Sequence, residues 1–151
     1  MTGITNESEF RQAIKELGYD QQRVLAAKFV EHALDLCSDK RIADVVRIAA
    51  DSNASHDELA GAFHTARAAA IDSHTRCGSE GDWQEQAGYF VARAAVSAVT
   101  PEAQLAGASA ALQAAMSCRM AQTSKSIAAD DDRAVQETQD QYRILSEYIA
   151  S

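Results

Sequence analysis

From Gln86 to Cys118 the chain reads QAGYFVARAAVSAVTPEAQLAGASAALQAAMSC, and only two of these residues, Arg93 and Glu102, carry charge. Alanine dominates the stretch, and alanine is the strongest helix former, so it reads as helix on both sides of Thr100-Pro101. Threonine before proline is a stop and a restart: Thr100 as N-cap, Pro101 in the first turn, and a helix running on to about Gln122. A surface helix carries a polar face. Two successive helices with so few charges have none to offer, which predicts a central hairpin wrapped by the rest of the chain. Gly107, Ala111 and Ala115 are expected to line one edge of its second helix, where small side chains admit a neighbouring backbone. Leu105, Leu112 and Met116 would fill the other side, and a charge at Ala111 would cost several kcal/mol, as an unpaired buried ion does.

The flanking sequence has the same character. In 151 residues there are 31 alanines, seven glycines and one proline, and 46% of the chain is hydrophobic. A chain of this size buries about two-thirds of its unfolded surface as one domain. Start and stop signals predict about seven helices. Asn6 with Glu9 opens the first, which Gly18 ends; Asp20 caps a second reaching about Cys37. The third covers about Lys40 to Ala50. Ser55 and Glu58 form a capping box for the fourth, which ends at Gly78-Ser79-Glu80-Gly81. Asp82 caps the fifth, with Trp83 in its first turn. A polar loop from Ser124 to Asp131 precedes the last, whose predicted inner stripe is Val135, Thr138, Tyr142, Leu145 and Ile149. The expected fold is all-α, a single-domain bundle over residues 1–151. The intervals between Cys37, Cys77 and Cys118, 40 and 41 residues, leave a short solenoid of αα-hairpins as the alternative.

No segment has the apolar run of a membrane span, and the first residues lack the basic and apolar regions of a signal peptide. Three cysteines without a Cys-x-x-Cys pair suit a reduced, cytoplasmic protein. Fourteen basic residues against twenty-two acidic ones give a net charge of −8, which argues against nucleic acid and anionic membranes as partners. His32 with Asp35, and His64 with His74, are the only pairings that hint at a metal, and the adjacent-turn spacing of a metal site is missing. The cysteines fall toward helix C-termini, where a thiolate is disfavoured. No nucleophile elbow or phosphate loop is present. Binding rather than catalysis is expected, with no cofactor; a small-molecule- or metal-binding bundle is the alternative.

The acids gather near the two ends of the chain. Asp130, Asp131, Asp132, Glu137 and Asp140 are the candidate partner-binding residues, forming an acidic face for a basic partner. The Asp130–Asp132 run also suits the N-terminus of the last helix. Tyr142, Ile144, Leu145, Tyr148 and Ile149 make that helix more apolar than one stripe requires, which would let two copies of the chain pair through it.

Asp39-Lys40-Arg41-Ile42-Ala43, then Ala66-Arg67-Ala68-Ala69-Ala70-Ile71-Asp72-Ser73-His74-Thr75-Arg76, then Ala92-Arg93-Ala94-Ala95-Val96-Ser97-Ala98 carry a family resemblance. In this order, over roughly residues 21–122, the chain resembles the small alanine-rich helical immunity proteins of bacterial polymorphic toxin systems. It departs from them after the fifth helix: Thr100-Pro101-Glu102 stands where those proteins often have a second histidine pair, so no histidine role carries over. The resemblance implies a cytoplasmic protein that neutralises a toxin by tight binding. A basic toxin domain would suit the charge of this chain.

Overall fold

The computed structural model describes residues 3–77, 83–129 and 132–151. Among them are eight α-helices: α1 (Glu7–Lys15), α2 (Tyr19–His32), α3 (Lys40–Ala50), α4 (His56–Cys77), α5 (Trp83–Val99), α6 (Glu102–Leu105), α7 (Ala110–Ala129) and α8 (Arg133–Ala150). A 3-10 turn, Leu34–Leu36, follows α2. No strand occurs among the described residues.

Local chemistry sets most of these ends. The Asn6 carboxamide accepts from the Glu9 N–H at 2.9 Å. Ser55 and Glu58 exchange capping bonds at 2.9 and 3.0 Å. Asp39 accepts from the Arg41 N–H at the head of α3. At α2 the cap lies earlier than Asp20: Gly18 holds that position and its N–H donates to the Gln21 side chain. Gly78–Gly81 and Asp82 lie outside the described residues.

The predicted central hairpin is the heart of the fold, for α5 and α7 make the most extensive helix–helix contact. Val91, Ala94, Ala95 and Ala98 of α5 and Ala111, Ala114, Ala115 and Cys118 of α7 are buried. Alanine on both facing surfaces lets the axes come close. Helix α2 packs on α5 and α7 and also meets α3 and α8, so elements distant in sequence close on one another. A solenoid would confine contacts to successive hairpins; this is a closed bundle. Phe10, Ile14, Phe29, Leu25, Ile42 and Leu145, on α1, α2, α3 and α8, supply large core side chains.

Three expectations about the second arm of the hairpin are corrected. Thr100 does not cap a new helix; its hydroxyl donates back to the Val96 carbonyl at 2.7 Å, and Pro101 takes the N-cap position. The helix then breaks after one turn, at Ala106 (φ +52°) and Gly107 (φ +86°). Gly107 therefore serves the left-handed turn and lines no helix edge. Ser109 restarts the chain as α7, its hydroxyl accepting from the Leu112 N–H at 3.1 Å. Nor is Ser124 onward a loop: α7 continues to Ala129. The hydroxyls of Thr123 and Ser124 donate to carbonyls one turn back, so these polar residues stay within the helix. Helix α2 likewise stops at His32 instead of reaching Cys37.

Buried polar side chains fasten the outer helices. Arg23, 2% exposed, donates to the Ala49 and Asp51 carbonyls at the end of α3 and pairs with Asp20. The Tyr19 hydroxyl donates to the Thr100 carbonyl at 2.8 Å, joining the start of α2 to the end of α5. Among the described residues no helix is long and apolar enough to cross a membrane.

Candidate functional site: the face between α2 and α8

The structure divides the five candidate acids. Asp130 and Asp131 lie outside the described residues. Asp132 is exposed at the N-cap position of α8 and makes no side-chain cap bond. Glu137 points the other way: it is 1% exposed and cannot meet a partner. Asp140 is partly buried, its carboxylate 3.0 Å from His32 Nε2 on α2. The predicted inner stripe of α8 is corrected with it. Val135 and Ile149 are exposed, and the buried positions are Glu137, Gln141, Tyr142 and Leu145.

Glu137 and Gln141 belong to a polar network between α7, α8 and α1. The Glu137 carboxylate accepts from Gln122 at 3.0 Å and from Gln141 at 3.1 Å. Gln141, fully buried, also donates to the Ala115 carbonyl and accepts from Arg119 Nε at 2.8 Å. Arg119 reaches both oxygens of Glu7, which also accepts from the Tyr142 hydroxyl. Glu137, Gln141 and Leu145 recur every four residues, so the sequence did carry the signal for this face. Reading apolar residues alone passed over it.

Electrostatics separates the carboxylates. Burial pushes the Glu137 carboxyl above its usual range, and Asp140 nearby adds to that, against the opposing effects of Gln122, His32 and Gln141. Partial burial acts on Asp140 in the same sense, but hydrogen bonds from Gln136 and His32 and the charge of Arg143 outweigh it and hold Asp140 below its usual range. A carboxyl with a raised folded value stabilises the fold most when protonated. Its contribution is complete below the ordinary 4.5 and is lost as pH rises through the folded value. Asp140 has the opposite sign: its contribution is present above 3.8 and is lost as pH falls through its lowered value.

Glu137→Gln is therefore expected to raise stability near neutral pH by about 1 kcal/mol, roughly 2–4 °C in the unfolding midpoint, and to do little at pH 4. The Gln122 amide can turn over to face the new side chain without losing a bond, because its Oε1 is buried and unpartnered. Thermal unfolding followed by circular dichroism at the two pH values checks this. A destabilised variant at neutral pH would mean that the ionised carboxylate itself holds the helices together.

Outside this network, α2 and α8 leave a groove of about 360 Å³ lined by Lys28, Glu31, His32, Ile144, Glu147, Tyr148 and Ser151. A second hollow of about 260 Å³ adjoins it at Tyr148 and adds Leu17, Gln21 and Ile149. Tyr142 and Leu145 are turned into the core, which leaves Ile144, Tyr148 and Ile149 as the apolar surplus of α8. Lys28 lies over the Tyr148 ring at 5.9 Å. Glu31 and Glu147 are exposed at the margin, with Asp20 exposed farther along α2. Half-buried aromatic and aliphatic anchors rimmed by carboxylates have the anatomy of a protein-binding surface.

The other singled-out residues lie apart from this face. His64 is exposed on α4, and His74 packs its ring on Tyr89 at 5.2 Å. Among the described residues no three His, Cys, Asp or Glu side chains are grouped to hold a metal ion. Cys118 is buried, its Sγ 3.6 Å from the Phe29 carbonyl, and burial with nearby Glu137 raises its thiol well above the usual range. Comparisons with protein families, curated proteins and solved structures return no match.

Proposed function

We propose that this chain is an immunity- or antitoxin-like protein that neutralises a basic protein domain by holding it against the α2–α8 face. The observation that carries the reading is the groove in which Tyr148 and Ile144 lie between Glu31 and Glu147. The net charge of −8 supports it, since carboxylates at the rim steer a basic partner and speed association. Affinity then rests on the anchors, which lose water on contact. The acidic surface is thereby moved from the Asp130–Asp140 run to the rim of this groove, with Asp140 beside it through His32.

The test uses the product of the adjacent gene, co-expressed in a growth assay and then titrated as a purified protein. Wild-type chain is expected to protect the cells and to bind. Tyr148→Ala should weaken binding by about 2 kcal/mol, roughly thirtyfold, mainly through faster dissociation. Glu31→Lys with Glu147→Lys, both at exposed positions, should slow association and flatten its salt dependence. No binding by the adjacent product, or binding indifferent to all these changes, would overturn the proposal. So would a homodimer that Ile149→Lys dissolves, because the face would then be covered by a second copy.

A further inference from the structure

A second groove, of about 430 Å³, runs between α4 and α5 and ends against Gln113 of α7. It shares no residue with the α2–α8 face. Arg67, Ile71 and His74 form one wall and Tyr89, Arg93, Val96 and Thr100 the other, with Ala70 as floor. On a chain of net charge −8, no carboxylate among the described residues lines it. Arg67 lies over the Phe63 ring at 5.5 Å and Arg93 over the Tyr89 ring at 5.8 Å, and neither guanidinium has a carboxylate partner among the described residues.

Both walls are ridges at helical spacing, residues three and four apart, and such parallel ridges are what a third helix packs into. The α5 wall from Tyr89 to Thr100 spans roughly 16 Å at about 1.5 Å per residue, three turns of a helix. Ile71 stands 61% exposed beside the groove, a position that a macromolecule covers and a small anion within the groove does not. From this charge complementarity and geometry we infer that the α4–α5 groove docks an acidic amphipathic helix of a partner protein. Its carboxylates meet Arg67 and Arg93, and its apolar stripe lies on Ile71 and Val96, the helix-in-groove mode. The inference does not depend on what binds the α2–α8 face.

The experiment titrates the full chain into three fluorescent probes or competitors: a designed helical peptide of about four turns with a leucine stripe flanked by glutamates, the same peptide with lysines for glutamates, and benzoate as a small anion. The acidic peptide is expected to bind saturably and the lysine peptide not to bind. The double variant Arg67→Glu, Arg93→Glu should lose at least about tenfold in affinity, the equivalent of one broken charge-assisted contact. Both side chains are exposed, so circular dichroism should report an unchanged fold. Chemical-shift changes should centre on Ile71 and Val96. Equal binding of the two peptides, no saturable binding of the acidic one, indifference to the double variant, or displacement by benzoate alone at equal concentration would overturn the inference.

Discussion

Replacing Ala114 by aspartate is expected to remove about 3–5 kcal/mol of stability. Ala114 is fully buried in α7, within the surface that meets α5 and α2. Among the described residues no cation of α2, α5 or α7 is free to pair with it: Arg23 of α2 is committed to Asp20 and the Ala49 and Asp51 carbonyls, Arg93 of α5 is exposed, and Arg119 is committed to Glu7 and Gln141. An unpaired buried charge costs about 3–5 kcal/mol, and alanine-to-alanine packing leaves no room for a carboxylate without further strain. Against a total stability of roughly 5–15 kcal/mol this removes much of the margin. An unfolding midpoint lowered by roughly 6–20 °C, followed by circular dichroism with Gln113→Asp as the exposed neighbour, checks it. The neighbour should stay within about 0.5 kcal/mol of wild type. If both variants melted alike, α7 would not be an interior helix.

That result would test the part of the fold most open to reading from the chain. Residues 86–118 carry only Arg93 and Glu102 as charges because two helices there share a buried contact, and composition alone conveys as much. Capping is equally local, so Asn6 and Ser55 announce their helices correctly. The break at Ala106-Gly107 was harder. Glycine beside alanines suits both a close helix contact and a left-handed turn, and only Ser109 three residues before Leu112 marks the restart. The continuation of α7 through Thr123 and Ser124 was hidden because polar residues read as loop unless their hydroxyls are known to bond within the helix.

The candidate site was legible only in part. Tyr148 and Ile149 stood out as apolar surplus, and the structure leaves them at the surface. Glu137 read as a surface acid because carboxylates are ordinarily solvated, and its four-residue recurrence with Gln141 and Leu145 shows only when polar residues are counted in the stripe. Its environment comes from Gln122 and Gln141, one of them on another helix. The His32–Asp140 contact joins residues 108 apart, a distance that no local pattern encodes. The α4–α5 groove was missed for the same reason: Arg67 and Arg93 look like ordinary solvated charges until α4 and α5 are set side by side.

Arg119→Ala carries the second large expected effect, a loss of about 3 kcal/mol, or roughly 6–12 °C in the unfolding midpoint. The change strips Gln141 Oε1, buried at the α7–α8 contact, of its 2.8 Å donor, the one it has among the described residues. It also removes both bonds to Glu7 and the cation lying 5.1 Å from the centre of the Phe10 ring. Helix α1 has little other contact with α7, so its amides should exchange with solvent ahead of the rest. Arg119→Lys should recover only part of the loss, because one ammonium cannot reach Gln141 and both Glu7 oxygens as the guanidinium fork does. The pH dependence separates this from simple loss of packing. Partial burial opposes ionisation of Glu7, but Arg119, Tyr142 and Arg11 outweigh it and hold the carboxyl below its ordinary 4.5. Its contribution is thus present above that value and is lost as pH falls through the lowered one. Without Arg119 much of that contribution is already absent at neutral pH, so the variant should lose less stability than wild type between about pH 5 and pH 2. Parallel acid profiles for the two proteins would show that Arg119 acts through its contact with Phe10 and not through Glu7.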